Sequence, residues 1–247
     1  VSESGIVGLG GATFPTHVKL MVPKGKKADT FIVNGVECEP YLTLDNRLML
    51  EKSKELLEGA RIIEKVLKPD RVVVGIEENK PEAIAQMELT IQEMGLPYEV
   101  VPLALKYPQG DEKLLIKAVS GREVPSGGLP IDIGVVVSNA GTVFSVYEAA
   151  VYGKPLIERF VTVSGGAVKE PANLRVRVGT TIGDLIEQCG GFNGVPYKIV
   201  VGGPMTGFGV YDLDTPVVKG TSAVLALTAE EVGQASRTNC ISCGRCV

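Results

Sequence analysis

Apolar runs and segments of helical periodicity alternate along the first half of the chain. Three short apolar runs have the pattern of buried strands: residues 30–33, 71–76 and 98–103. Between them, two longer segments place apolar side chains at spacings that suit one helical face: residues 45–67 and 81–94. This alternation predicts an α/β fold, a Rossmann-like and mainly parallel sheet with flanking helices.

Polar loops follow the predicted strands. In parallel sheets, ligands bind at the carboxyl ends of the strands. Three glycine-containing loops lie there, the last one after a further apolar strand at 133–137: residues 34–40, 106–112 and 138–142. We expect these loops to converge on one site with a glycine-rich loop near the start of the chain.

That glycine-rich stretch, residues 8–19, reads Gly-Leu-Gly-Gly-Ala-Thr-Phe-Pro-Thr-His-Val-Lys. Its three leading glycines let the backbone approach a bulky ligand, and Pro15 suits the first position of a helix. A helix start attracts anions through its free N–H groups and its dipole, and Lys19 adds a positive charge one turn later. We interpret the stretch as a cradle for a phosphate-bearing cofactor. A tight turn without a ligand is the alternative, because Thr13 replaces the third glycine of the usual dinucleotide fingerprint.

The pattern changes near Pro155. Four strand-like segments surround one helical segment at 181–189, which places Cys189 in the core: residues 157–164, 174–178, 197–201 and 221–228. They predict a small α+β domain of β-grasp type, followed by a polar linker at 229–239. We therefore divide the chain into an α/β domain at 1–154, a β-grasp domain at 155–228, and a linker with a cysteine motif at 229–247.

Composition narrows the class of protein. The 247 residues carry a net charge of −4, which argues against a nucleic-acid-binding protein, since such proteins normally present a basic face. No apolar run reaches the length of a membrane span and no signal peptide is visible, so we expect membrane association to come only through partners. The chain begins at Val1, and we expect both ends to be cut from a longer protein.

Three of the five cysteines form a Cys-x-x-Cys-x-x-Cys motif: Cys240, Cys243 and Cys246. Three thiolates at this spacing ligate one face of an iron-sulfur cluster, with the fourth ligand from elsewhere. Zinc sites more often use two separated cysteine pairs, so we favour a cluster over zinc or unligated cysteines. We expect the cluster to be absent or incomplete in these 247 residues. A cluster beside a phosphate cradle indicates electron transfer, with a flavin as the converter between hydride and single electrons.

Five motifs in order carry a family resemblance: the glycine stretch at 8–16, Asn-Gly-Val-Glu-Cys-Glu-Pro-Tyr at 34–41, Gly-Ile-Glu-Glu-Asn-Lys-Pro at 75–81, Lys-Tyr-Pro-Gln-Gly at 106–110, and Gly-Gly-Pro-Met at 202–205. They closely resemble the C subunit of the Rnf electron transport complex. More distantly, the chain resembles the NADH- and flavin-binding subunit of respiratory complex I. The resemblance covers essentially the whole chain.

The resemblance implies sites residue by residue. FMN would lie against Gly8, Gly10, Lys19, Asn34, Glu37, Tyr107, Gly110, Asp111, Ser138, Asn139 and Thr142. NADH would contact Phe14, Glu39 and Glu112. The cysteine motif would begin a ferredoxin-type 4Fe-4S segment, and residues 155–228 would be the soluble-ligand-binding β-grasp (SLBB) domain. No side chain is assigned as catalytic, because the flavin carries the chemistry. The alternative for Glu37 and Glu39, each taken alone, is a solvated loop charge.

By this resemblance the chain is the electron-input subunit of a membrane-bound Rnf-type complex. NADH would be oxidised through FMN, electrons would pass to iron-sulfur clusters, and the other subunits would couple their passage to ion transport. We expect a peripheral position on the cytoplasmic face of a bacterial cell membrane. Two alternatives stay open: a soluble flavin and iron-sulfur reductase, such as a cobalamin reductase, and a non-catalytic scaffold that binds partners through the β-grasp domain.

Overall fold

The computed structural model describes residues 1–233, which divide into two compact units. The first unit comprises Val1–Cys38 and Asp45–Ile157. The second comprises Glu39–Leu44 and the described residues from Glu158 to 233. The second unit therefore includes a six-residue segment that interrupts the first unit in sequence. The domain limits predicted from sequence stay a prediction.

A four-stranded parallel sheet forms the centre of the first unit. Its strands lie in the order β3-β2-β1-β4: β1 (Thr30–Gly35), β2 (Arg71–Glu77), β3 (Tyr98–Leu103) and β4 (Val135–Asn139). The helices along this part of the chain are α1 (Thr16–Leu20), α2 (Leu44–Glu51), α3 (Ser53–Leu67), α4 (Pro81–Glu93), α5 (Glu112–Ser120) and α6 (Ala140–Tyr152). The parallel pairing of all four strands confirms the α/β prediction.

The core explains why the strands read as continuous apolar runs. Phe31, Ile32 and Val33 of β1 are all fully buried, because helices cover both faces of a parallel sheet. On one face α3 crosses α6 at close range. A Cβ on Gly59 of α3 would lie 2.2 Å from the carbonyl oxygen of Val143 in α6, so this crossing requires glycine.

Three element predictions for the first unit, one helix, one strand and one loop, differ from the structure. Residues 45–67 form two helices, since Lys52 between α2 and α3 has φ −133° and ψ 31°. The predicted strand at 133–137 starts only at Val135, because Gly134 adopts φ 77° after a 3-10 helix at Pro130–Ile133. The predicted loop at 138–142 is the end of β4 and the first turn of α6. Helix α6 is buried without interruption from residue 140 to 146 and so shows no amphipathic pattern in this stretch.

The second unit is a five-stranded mixed sheet with one main helix, as predicted for a small α+β domain. The strand order is β6-β5-β9-β7-β8, with β5 (Glu158–Ser164), β6 (Ala172–Arg177), β7 (Lys198–Val201), β8 (Phe208–Val210) and β9 (Ala223–Leu227). Helix α7 (Ile182–Gln188) packs Ile182, Leu185 and Ile186 into the core, beside the buried Cys189. The predicted linker begins instead with the short helix α8 (Ala229–Val232), which Thr228 caps.

Candidate functional site

Two asparagines lie side by side at the carboxyl ends of β1 and β4. Asn34 pairs with Asn139 in the parallel register of the two strands. The Asn34 side chain donates from Nδ2 to the carbonyl oxygen of Gly110 at 3.0 Å, and its Oδ1 accepts from the Val36 N–H at 3.0 Å. Asn34 therefore ties the loop after β3 to the loop after β1.

Asn139 organises the start of α6. As N-cap, its Oδ1 accepts from the Thr142 N–H at 3.3 Å, and its Nδ2 donates to the Asp45 carboxylate at 2.6 Å. Thr142 is buried, and its hydroxyl oxygen accepts from the Leu9 N–H at 2.9 Å. The glycine loop is thus held against the first turn of α6.

The glycine loop needs small residues at this contact. A Cβ on Gly10 would lie 3.2 Å from the Cβ of Asn139, which is tighter than an ordinary contact. The Gly8 N–H donates to the carbonyl oxygen of Phe14 at 2.8 Å, which closes the loop and leaves Phe14 exposed. The helix predicted behind the loop is only the five-residue α1, with Pro15 as its N-cap rather than its first residue. The 13-residue helix whose N-terminus meets the glycine loop is α6.

Glu37 is a buried carboxyl group at the same edge of the sheet. It is only 8% exposed, so its interpretation as a solvated loop charge is wrong. Its oxygens accept from the N–H groups of Asp45 and Asn46 at 2.9 and 3.3 Å. Burial, reinforced by the Asp45 carboxylate, raises the pKa of Glu37 to about 8 and so favours its protonated form.

The loop after β3 carries four of the predicted site residues: Tyr107, Gly110, Asp111 and Glu112. Tyr107 is half-buried and precedes a cis peptide bond. A Cβ on Gly110 would lie 3.0 Å from the carbonyl oxygen of Val36, so glycine allows this loop to approach the loop after β1. The Asp111 carboxylate caps α5 by accepting from two N–H groups of its first turn, at 3.0 and 3.2 Å.

Lys19 and Glu112 form an ion pair between α1 and the start of α5. The two side chains are 32% and 36% exposed. The structure therefore brings a residue predicted for FMN together with one predicted for NADH. Lys19, whose positive charge the sequence analysis assigned to the phosphate cradle, is thus paired with the Glu112 carboxylate.

The remaining predicted residues have other surroundings. Ser138 is buried in β4. Glu39 belongs to the second unit, where its carboxylate accepts from the Met205 N–H at 3.0 Å and from the Thr206 hydroxyl at 2.6 Å. The three predicted metal ligands lie outside the described residues: Cys240, Cys243 and Cys246. Within residues 1–233, no group of three or more His, Cys, Asp or Glu side chains is arranged to hold a metal ion.

Asp45 and Lys80 were missed by the sequence prediction. Asp45 contacts both Asn139 and the carboxyl of Glu37. Lys80 donates from Nζ to the main-chain oxygen of Glu37 at 3.2 Å and to the Glu77 carboxylate at 2.8 Å. The motif at 75–81 contains Lys80 and Glu77 and was the available signal. Asp45 stood only at the start of a predicted helix and gave none.

Comparison with protein families agrees with this geometry. Residues 1–148 match the family model described as the Nuo51 FMN-binding domain. Residues 160–209 match the SLBB domain. The chain therefore belongs to the Nuo51 FMN-binding domain family, a family of oxidoreductase subunits.

Curated relatives narrow the class further. Over its whole length the chain is 53% identical to the C subunit of the proton-translocating ferredoxin:NAD(+) oxidoreductase complex of Clostridium ljungdahlii. It is 47% identical to the C subunit of the Na(+)-translocating ferredoxin:NAD(+) oxidoreductase complex of Acetobacterium woodii. The chain spans 54% and 56% of the length of these two proteins. These matches confirm the resemblance to the C subunit of Rnf complexes.

A solved structure supports the fold. A chain of an NAD+-reducing NiFe-hydrogenase superposes with a TM-score of 0.75 at 21% sequence identity. The match covers 93% of the present chain and 46% of the hydrogenase chain. None of the helices in the described part of the chain is long and apolar enough to cross a bilayer.

Proposed function

We propose that the chain binds FMN at the carboxyl edge of the first unit's sheet and exchanges electrons with NAD(H) there. The observation that carries the proposal is the contact of the glycine loop with the N-terminus of α6, beside the paired Asn34 and Asn139. Membership of the Nuo51 FMN-binding domain family supports the choice of FMN as the ligand.

The residues at this edge fit the phosphate end of FMN. The start of a helix carries the positive end of its dipole, and the start of α6, where Asn139 accepts from the Thr142 N–H, lies beside the glycine loop. A Cβ on Gly10 would intrude on this contact, so the loop is built for a close backbone approach. Lys19 adds a positive charge. When the ligand binds, the Lys19 ammonium would leave its ion pair with Glu112 and pair with the phosphate instead.

The same edge fits the polar side of a flavin ring. Asn34, Glu37 and the 107–111 loop place amide, carboxyl and main-chain groups at adjacent strand ends. A protonated Glu37 removes one negative charge that would otherwise repel an anionic cofactor. When bound, FMN supplies hydride acceptance and single-electron release. The chain's residues orient the cofactor, and Phe14 and Glu112 of the first unit are proposed contacts for NAD(H).

For the whole protein we propose the role of electron-input subunit in an Rnf-type complex. It would link NAD(H) to iron-sulfur clusters, the first of them held through Cys240, Cys243 and Cys246. Its partners would be the other subunits of an ion-translocating membrane complex, and its place the cytoplasmic face of the membrane. The relatives named for such complexes are about twice as long as this chain and support the proposal.

An anaerobic titration with FMN, followed by NADH, tests this function. We expect saturable binding of one FMN per chain and bleaching of the flavin absorbance on addition of NADH. Lys19→Met should weaken FMN binding about tenfold, since one charged contact to a phosphate contributes roughly 1.4 kcal/mol. The matched control Lys24→Met removes an exposed lysine from the same segment and should leave the affinity unchanged.

A chain that folds and binds no FMN would overturn the proposal and favour the scaffold alternative. Binding of FMN without bleaching by NADH would retain the flavin site and refute the NAD(H) assignment. Equal effects of Lys19→Met and Lys24→Met would show that the phosphate lies elsewhere.

A further inference from the structure

The proposed function leaves one motif without a role. Residues 75–81, Gly-Ile-Glu-Glu-Asn-Lys-Pro, form the turn between β2 and α4 at the carboxyl edge of the sheet. Glu77 is the last residue of β2, Lys80 is the N-cap residue of α4, and Pro81 is the first helical residue. The Lys80 N–H donates to the carbonyl oxygen of Glu77 at 3.0 Å, so the turn is tight.

Lys80 and Glu77 form a buried ion pair. Lys80 Nζ lies 2.8 Å from Glu77 Oε2, and the two side chains are 10% and 1% exposed. Removing two charges from water is costly, and a well-packed apolar pair in the same place is often as stable or more so. Stability alone is therefore a weak reason for this pair.

A further contact gives the pair a purpose. Lys80 Nζ also donates to the main-chain oxygen of Glu37 at 3.2 Å. β1 and β2 are neighbouring parallel strands, so this bond crosses from the turn after β2 to the loop after β1. On its other side, the Glu37 carboxyl is held by the N–H groups of Asp45 and Asn46.

We propose that Lys80 is a positioning residue: its buried ion pair with Glu77 fixes the backbone of Glu37 and thereby aims the Glu37 carboxyl at the flavin site. That the ligand is a flavin rests on the proposed function. The contacts of Lys80 with Glu77 and Glu37, and of the Glu37 carboxyl with Asp45 and Asn46, do not. With its main-chain oxygen and its carboxyl both held, Glu37 keeps one orientation. Preorganisation of this kind is what fixes a cofactor in a single pose.

The charges around Glu37 set the sign of the expected effect. Burial and the Asp45 carboxylate favour the protonated form, while the N–H groups of Asp45 and Asn46 and the ammonium of Lys80 favour the ionised form. The Glu77 carboxylate faces Lys80 and neutralises part of its charge. Removing the Lys80 ammonium should therefore raise the pKa of Glu37 further above its value of about 8.

An infrared pH titration of the ligand-free chain tests this part. The protonated carboxyl band of Glu37 is assigned by its loss in Glu37→Gln. In Lys80→Met we expect its midpoint to rise by about one pH unit, a tenfold change in the protonation equilibrium. The control Arg71→Met removes an ion pair at the opposite end of β2 and should leave the midpoint in place. An unchanged midpoint in Lys80→Met would overturn the proposal.

FMN affinity distinguishes positioning from simple charge balance. The double variant Glu77→Gln with Lys80→Met removes both buried charges and leaves no unpaired ion, but it still lacks the bond to Glu37. Positioning predicts FMN binding weakened roughly tenfold to a hundredfold in both the single and the double variant. Recovery of the original affinity in the double variant would overturn it.

The infrared titration and the FMN affinity distinguish a failure of the proposed function from a failure of the Lys80 proposal. If the unaltered chain binds no FMN, the proposed function fails, and the infrared titration still decides the role of Lys80. If Lys80→Met does not fold, the double variant decides alone: weakened FMN binding supports positioning, and unaltered binding refutes it.

Discussion

The two edges of the first unit's parallel sheet differ in the exposure of their charged side chains and in the direction of their carboxyl pKa shifts. At the amino edge, Arg122 pairs with Asp29 at 2.8 Å and Arg71 with Glu99 at 2.6 Å, and all four side chains are at least 36% exposed. Hydrogen bonds from Arg122 and Arg71 hold the pKa values of the two carboxyls below their ordinary range. These are solvated pairs in which each anion has its cation.

At the carboxyl edge, by contrast, four charged residues are buried. In the described part of the first unit, all of the buried charged residues lie here: Glu37, Asp45, Glu77 and Lys80. Three carboxyl groups lie here with one ammonium, that of Lys80, which pairs with Glu77, and the pKa of Glu37 is raised rather than lowered. Glu77 Oε1 has no hydrogen-bond partner among the described residues.

The difference marks the carboxyl edge as the better candidate for a binding site. Ion pairs that only join strands can stay exposed to water, where they contribute little to stability and lose little hydration. Buried carboxyls with shifted pKa values are unfavourable unless something else requires them, and they cluster at functional sites. This contrast identifies the carboxyl edge as the candidate site independently of the family match.

Loss of stability should show the largest difference between the edges. Lys80→Met leaves Glu77 buried without its cation and should lower the free energy of unfolding by about 3 to 5 kcal/mol. Arg71→Met breaks an exposed pair and should lower it by about 1 kcal/mol or less. Urea unfolding followed by circular dichroism measures both. Equal losses would show that the two edges do not differ in this respect.

The pH dependence of stability should differ next. Because Glu37 has a higher pKa in the folded chain, about 8 against an ordinary 4.5, the folded state binds the extra proton between these values. The stabilisation that this proton gives to the folded chain, up to a few kcal/mol, is fully present below about pH 4.5. It is lost as the pH rises through 8. In Glu37→Gln the urea midpoint should change much less between about pH 5 and 8 than in the unaltered chain. The amino-edge carboxyls have lowered pKa values, so their contribution is lost only as the pH falls below about 4.

If Glu37→Gln retains the full decline in stability from about pH 5 to pH 8, the raised pKa of Glu37 is not its cause. The variant Glu99→Gln serves as the control, since its pair with Arg71 titrates in the acid range and should leave this decline unaltered.

The smallest effect concerns the amino edge and the ligand. Arg122→Met removes the cation beside Asp29 and should lower the free energy of unfolding by about 1 kcal/mol. FMN affinity should remain within about twofold, a change of roughly 0.4 kcal/mol, because this edge lies at the far ends of the strands. An FMN titration checks this, and a tenfold loss of affinity would refute the division of roles.

The sheet and its loops were largely predictable from the sequence. Buried parallel strands are continuous apolar runs. Asn34 at the end of β1 and Gly110 in the loop after β3 stand at the carboxyl edge, where such sheets bind ligands. Helix α6 escaped prediction because residues 140–146 are all buried and show no polar face. The sequence therefore indicates an anion site only at the helix start at α1, and α6 belongs only to the proposed function.

The buried charges were the least predictable part. Nothing in the spacing of Glu37, Asp45 and Lys80 indicates that they meet. Lys80 reaches Glu37 from the turn after a different strand, and Asp45 stands in the helix that follows the Glu37 loop. The sign of the pKa shift of Glu37 depends on burial, which a loop sequence rich in polar residues argues against. The sequence therefore predicted the candidate site, and the pKa shift of Glu37 emerged only from the structure.

The central claim is that FMN binds at the carboxyl edge, with its phosphate between the glycine loop and α6. Amide chemical-shift changes on addition of FMN to the isotope-labelled chain test it most directly. We expect the largest changes at residues 8–11 and 140–142, where the Leu9 N–H meets Thr142. Saturable changes confined to the amino edge, or none at these two segments, would contradict the claim.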